Sequence, residues 1–481
     1  MIIHMDLGNI FWRDIMSNRI NSLAKSSVTY ISATILGQGA SFLGIILFTH
    51  LMDQGEYGRY STYYAYVSML ITLVGVNLYF AIKNAYIDYK DDIVEFRKSV
   101  LFLSSITVGV ALILLGVARF FFFTDKPFWL VLAAVIHAYS FFVVNYRMYS
   151  ANMENDRVSK AKLLVMPNIL QLLFSLIFVL TLRDMQYYAR VIGSTIGVAI
   201  CALPAYVSIM RCKGCLIVNR YWKYAFRISL PSILMSLSGL LMQQCDKIVI
   251  SKFIGDEATA VYSALYYLSY VLIVVNQALS EVRQMWVYNK LGRKDDASLA
   301  VFQKWYLIII AIMVAGVYLF APEAIRFIFP KAYWEYEYVA PFVMSASMLV
   351  AQGFYSEIGT FHKENFKLSL FAIVAAVLNI ILNCIFVPHY GAIAATYTTV
   401  ISYFVLFLFL QGLARKLQEG LYSYKIFLEF ICAVCISGGI YLLIKDIAIL
   451  RYIVFGCAVI LLSIYSYRKK NEWMRYIKEN K

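Results

Sequence analysis

Apolar residues in this chain come in unbroken runs separated by short charged segments from one end to the other. Each run is roughly 20 residues long, enough to cross a bilayer as a helix. The runs fall near residues 27–49, 60–82, 99–118, 127–146, 163–182, 187–209 and 228–250, then near 260–281, 305–321, 338–357, 368–387, 391–411, 425–444 and 450–467. Barrel strands would instead alternate apolar and polar positions over about ten residues. The pattern predicts an all-α polytopic membrane protein with about 14 transmembrane helices. Composition agrees, since 61% of the 481 residues are hydrophobic and 15% charged, against about 25% charged in a soluble domain.

Charge then orients the spans. Lys and Arg gather in alternate loops, such as "KNAYIDYKDDIVEFRK", "RMYSANMENDRVSKAK" and "RCKGCLIVNRYWKYAFR", and at both termini. Basic residues resist translocation, so these loops and both ends are expected in the cytoplasm. The net charge of +15 is scattered over membrane-flanking loops. That distribution suits anionic lipid head groups and speaks against nucleic acid, which calls for a basic patch on one face. Residues 1–26 read as an N-terminal interfacial segment, mixed in charge and lacking the apolar core of a signal peptide. "CKGC" at Cys212 and Cys215 has metal-ligand spacing but no second pair, so no metal is expected there.

The two halves of the chain resemble each other. "LMDQGEYGRYSTYYAYVSML" from Leu51 aligns with "FIGDEATAVYSALYYLSYVL" from Phe253, so that Tyr60 and Ser61 fall on Tyr262 and Ser263. "QLLFSLIFV" from Gln171 aligns with "NIILNCIFV" from Asn379, and "ARVIGSTIGVAIC" from Ala189 with "GAIAATYTTVISY" from Gly391. Six helices per half is an even number, so the halves share one orientation and relate by an axis along the membrane normal. The expected units are an N-lobe over 27–222, a C-lobe over 223–415, and an appendix of two helices with a basic tail over 416–481. Ala189, Gly193, Gly197 and Cys201, four apart, form a small-residue stripe for close helix packing.

The stretch "DKIVISKFIGDEATAVYSALYYLSYVL" resembles the polysaccharide-transport branch of the multidrug, oligosaccharidyl-lipid and polysaccharide exporters, and "LNCIFVPHYGAIAATYTTVISY" is similar to the eleventh-to-twelfth helix junction of that family. With "HLMDQGEYGRYS" after the first helix, the chain looks most like the repeat-unit flippases of O-antigen and capsule synthesis, the Wzx type. The resemblance implies two lobes that alternate between inward-open and outward-open states in the bacterial inner membrane. It implies as substrate a polyprenyl-diphosphate-linked oligosaccharide, moved from the cytoplasmic to the periplasmic leaflet. A polysaccharide polymerase and a chain-length regulator are the implied protein partners. No bond is broken, so neither an enzyme nor a cofactor is expected. The alternatives are a drug or small-cation exporter of the same fold and a membrane polysaccharide polymerase.

Ionisable groups inside a membrane are costly and are candidates for function by default. Asp246 and Lys247 close an apolar run near the expected outer mouth. Asp246 is a candidate for carrying a coupling proton or sodium ion, and Lys247 for holding a diphosphate on release, while snorkelling to the head groups is the plainer reading of the pair. Gln243 shares their helix face. Gln38, His137 and Asn379 are polar candidates for the cavity, with His137 the cation placed nearest the midplane. Lys83, Arg147, Arg227 and Arg283 would ring the inner mouth, and Arg147 and Arg283 are favoured for bidentate capture of phosphate oxygens. Their loss is expected to impair glycan assembly at unchanged protein level. Pro167, Pro204 and Pro231 are candidate bending points.

Overall fold

The computed structural model describes residues 33–122, 127–418, 424–454 and 456. The interfacial segment expected over 1–26 and most of the span expected over 450–467 lie outside the described residues. Helix α1 spans Ala33–Leu51. It is followed by α2 (Gln54–Val74), α3 (Phe80–Asp88), α4 (Ile93–Phe122), α5 (Phe128–Met153), α6 (Arg157–Thr181) and α7 (Gln186–Met210). The second half comprises α8 (Asn219–Phe253), α9 (Asp256–Gly292), α10 (Asp296–Ile328), α11 (Val339–Phe361), α12 (Asn365–Tyr390) and α13 (Ala392–Leu417), and α14 (Tyr424–Ile444) comes after it. Twelve helices among the described residues are long and apolar enough to cross a membrane. The protein is a multi-pass membrane protein of all-α architecture.

The run expected as one helix over 60–82 is broken. Within "VGVNLYF", Val76 and Asn77 both adopt a φ of 49°, a left-handed conformation that a β-branched residue rarely takes. Gly75 lies so close to the Phe142 ring that a Cβ there would run into it. The break exposes backbone groups, and Thr107 Oγ1 donates to the freed Val74 carbonyl at 2.8 Å. Asn77 Nδ2 reaches the Ser232 carbonyl of α8 at 3.4 Å, beside Pro231. Such backbone is tolerated at membrane depth only where protein re-satisfies it.

Turns and tight contacts repeat between the halves. Asn155 and Lys363 both take a left-handed φ, 56° and 62°, between α5 and α6 and between α11 and α12. The small-residue stripe packs as expected: a Cβ at Gly193 or Gly197 would lie 2.6 Å from the α6 backbone at Ser175 or Gln171. Substituting either would force α6 and α7 apart.

The basic loops meet at one end of the bundle, where Lys98 Nζ donates to the Cys212 carbonyl at 2.8 Å and Arg220 pairs with Asp92 at 2.8 Å. Helix α8 belongs to two cores. Its Tyr221 and Ala225 pack with α3, α4 and α5 residues of the first half, whereas its Met242, Cys245, Val249 and Ile250 join the core of the second half. Pro231 lies between these stretches. At the end opposite the basic loops the halves are pressed together. Ile45, Phe48, Met52 and Tyr57 of the first half enter the second-half core there, and Gly58 abuts the Asp256 carbonyl with no room for a Cβ.

Candidate functional site

Asp246 stands seven residues, about 10 Å, before the end of α8. It turns toward α9, α12 and α13 and is 2% exposed. Its carboxylate accepts hydrogen bonds from Tyr262 Oη, from Asn383 Nδ2 at 2.6 Å and from Thr399 Oγ1 at 2.8 Å. The network continues outward: Asn379 Nδ2 donates to Thr399 Oγ1 at 3.2 Å, Asn383 Nδ2 also reaches Asn379 Oδ1 at 3.2 Å, and Thr398 Oγ1 donates to Asn383 Oδ1 at 2.5 Å. The spacing makes this possible, because Asn379 and Asn383 lie one turn apart on α12 and Thr398 and Thr399 face them from α13.

The donors around Asp246 are neutral. The charged side chain within electrostatic reach, Lys247, makes its hydrogen bond elsewhere, so the carboxylate's direct partners are all neutral, a setting that can take a small cation or a proton. The side-chain oxygens of Asn379, Asn383, Thr398 and Thr399 stand beside it. Lys247 points elsewhere, 3% exposed, with Nζ donating to Gln244 Oε1 at 2.9 Å and lying 5.8 Å from the Tyr266 ring centre. Adjacent in sequence, the two charges serve different surroundings, and Lys247 does not reach the lipid surface. Gln243 is half-buried on the same helix.

His137 is fully buried in α5, ringed by Tyr63, Tyr64 and Phe141. Tyr63 Oη lies 3.4 Å from its Nδ1, and its Nε2 has no partner. It lines no open space in this conformation. Asn379 is likewise fully buried, as part of the Asp246 network, and Gln38 is half-buried on α1.

The four cations expected at the inner mouth differ. Arg283 is enclosed: Nε lies 3.0 Å and one terminal nitrogen 2.8 Å from Glu357 Oε1, while the other terminal nitrogen meets Asn276 and, at 2.6 Å, Tyr306 Oη. Its charge is neutralised within the second half. Arg147 pairs with Glu154 at 2.9 Å. Partial burial alone would raise the Glu154 carboxyl, but Arg147 and Arg97 together hold it below its ordinary range. Lys83 on α3 and Arg227 on α8 remain exposed cations on helices that pack against each other.

Sequence reasoning passed over Tyr262, Asn383 and Thr399, although the one-turn spacing of two asparagines inside an apolar run was a usable signal. It also passed over Arg190, quoted only within the repeat segment "ARVIGSTIGVAIC". Arg190, 8% exposed, sits in α7 with its guanidinium 3.8 Å from the Tyr60 ring centre, 4.0 Å from Phe48 and 5.0 Å from Tyr57.

Residues 23–282 match the family model described as polysaccharide biosynthesis protein. No curated protein matches the chain. Among solved structures, the fold is similar to that of a lipid II flippase, MurJ, in an inward closed conformation, with a TM-score of 0.69 at 17% identity over 92% of this chain and 99% of that one. A multidrug resistance MATE family transporter of the MOP superfamily, in its inward-facing conformation, gives 0.59 at 16% identity over 82% and 99%. A MATE transporter from Vibrio cholerae gives 0.55 at 18% identity over 84% and 99%.

Proposed function

The chain belongs to the polysaccharide biosynthesis protein family, and on that premise we propose that it is a flippase for a polyprenyl-diphosphate-linked oligosaccharide, the repeat unit of an O-antigen or capsule. The observation that carries this reading is the meeting of that family match with the fold of a lipid II flippase over nearly the whole chain. The basic end is the cytoplasmic end, in a bacterial inner membrane, with both termini on that side. The substrate enters between the lobes from the cytoplasmic leaflet and leaves at the opposite end. Its tail stays in lipid while its head group passes through. Exposed Lys83 and Arg227 draw the diphosphate to the inner mouth, and anionic lipids gather on the same basic loops.

Asp246 carries the coupling ion, a proton or Na+. Loading that carboxylate changes the charge held between α8, α9, α12 and α13, and α8 runs from the core of one half into the core of the other. The linkage gives ion binding a route to lobe movement through the bend at Pro231. A polymerase and a chain-length regulator receive the product in the outer leaflet.

A drug or cation exporter of the same fold is the competing reading, and the buried carboxylate of Asp246 is the feature that favours it. Deleting the gene separates the two. The flippase reading expects loss of surface polysaccharide and accumulation of lipid-linked repeat units on the cytoplasmic leaflet. Normal surface polysaccharide with heightened drug sensitivity would replace it with the exporter.

A further inference from the structure

Arg190 is a buried cation served by rings. Its guanidinium donates to Met52 Sδ, 3.7 Å from a terminal nitrogen, lies within hydrogen-bonding reach of the Tyr57 hydroxyl, and otherwise faces the rings of Phe48, Tyr57 and Tyr60. Cation–π contacts hold an arginine, but a buried charge with no carboxylate partner among the described residues is costly to keep for packing alone. The cage has two owners. Its floor comes from α1 and α2 of the first half. Tyr267 of α9 and Tyr333 of the α10–α11 connection, both from the second half, stand within electrostatic reach of the guanidinium. Tyr333 lies edge-on to Tyr57 with ring centres 6.3 Å apart, and its buried hydroxyl has no partner. This is the end where the halves are pressed together, so parting them would lift the lid from the floor.

We propose that Arg190 is a gated phosphate-binding site, stored in the closed cage and uncovered when this end opens, where it takes the phosphate oxygens of the substrate head group before release. The inference rests on the flippase reading and adds to it a residue and a moment in the cycle. A guanidinium suits this role because it binds phosphate oxygens in pairs yet stacks on aromatic faces when the anion is absent.

The test uses the full-length protein in phosphatidylcholine nanodiscs, with modification of Arg190 by phenylglyoxal followed by mass spectrometry and farnesyl diphosphate as the probe. Arg190 should react slowly in the wild type and in Tyr333→Phe, which keeps the lid, and at least about tenfold faster in Tyr333→Ala. Farnesyl diphosphate should protect it in Tyr333→Ala, whereas added phosphatidylglycerol should not. Equal reactivity with and without the lid, or no protection by the diphosphate, overturns the proposal. Equal protection by phosphatidylglycerol assigns the site to membrane head groups and overturns the substrate role. In cells, Arg190→Met fills the cage and removes the uncompensated charge, so a packing role predicts full transport at normal abundance. The proposal predicts at least a tenfold loss of polysaccharide export at normal abundance, and full export would overturn it. A gene deletion that leaves polysaccharide and lipid-linked intermediates untouched would fell the flippase reading itself, an outcome separate from any behaviour of Arg190.

Discussion

At the scale of single residues, burial sorts the charged side chains by what each can do. Asp246 has neutral donors and nearby oxygens, surroundings that suit its proposed role as ion carrier. Asp246→Asn turns an amide toward groups that donate to the carboxylate and removes the charge. Under the proposed role, transport is expected to fall about tenfold or more, a change of about 1.4 kcal/mol, and the remainder should lose its dependence on the ion gradient. Export measured across imposed pH and Na+ gradients checks this, and an unchanged gradient dependence would release Asp246 from the role. Arg283 behaves oppositely, since Glu357 already neutralises it. Removing one partner of a buried pair costs about 3–5 kcal/mol because the other is left uncompensated, while replacing both by apolar groups is often tolerated. Arg283→Ala should therefore lower membrane abundance, and Arg283→Met combined with Glu357→Leu should recover it. This differs from the unchanged protein level that the sequence pattern suggested. Quantitative immunoblots of the single and paired variants decide between the two.

At the scale of elements, helix ends and breaks place the chemistry. Asp295 caps α10: it accepts from Lys290 Nζ at 2.6 Å, from Ser298 Oγ at 2.8 Å and from the Ser298 backbone N–H at 3.2 Å. The Lys290 bond, followed by those from Ser298, holds its carboxyl at about 2. The folded value lies below the unfolded one of about 3.9, so its stabilisation is present above that pH and is lost as pH falls through about 2. Asp295→Ala is expected to cost about 1 kcal/mol near neutrality, with the difference from wild type shrinking below pH 4 in thermal unfolding of the purified protein. A difference that persists at pH 2 would contradict the charge-dependent part. The break between α2 and α3 is the other element-scale feature. The sequence reads as one span there because hydrophobicity runs on through "VGVNLYF". The signs were Gly75 and Asn77, which take such turns more readily than their neighbours, but they do not show which of many apolar glycines marks a break. The contact with Phe142 does.

At the scale of the molecule, the halves meet where the turns after Leu51 and after Phe253 face each other. Gln54 Nε2 donates to the Glu257 carbonyl at 3.3 Å, Arg59 pairs with Asp256 at 3.2 Å, and a Cβ at Gly55 would lie 3.9 Å from Glu257 Cγ. A disulfide between cysteines at positions 55 and 257 should hold this end shut. In a background without the native cysteines, Gly55→Cys with Glu257→Cys is expected to stop export when oxidised and to recover on reduction. Unimpeded export from the cross-linked protein would show that this end need not open.

What the sequence determined by itself was the all-α, multi-pass architecture and the family, because hydrophobic length is a local property that a bilayer reads directly. Tertiary structure decided which polar groups meet. Asp246 finds Asn383 and Thr399 from helices more than a hundred residues away in sequence, and Arg190 finds a cage drawn from both halves. In a chain so rich in apolar residues, sequence position says how deep a polar side chain lies. Which way it faces depends on helix rotation and packing, and these are set by neighbours distant along the chain.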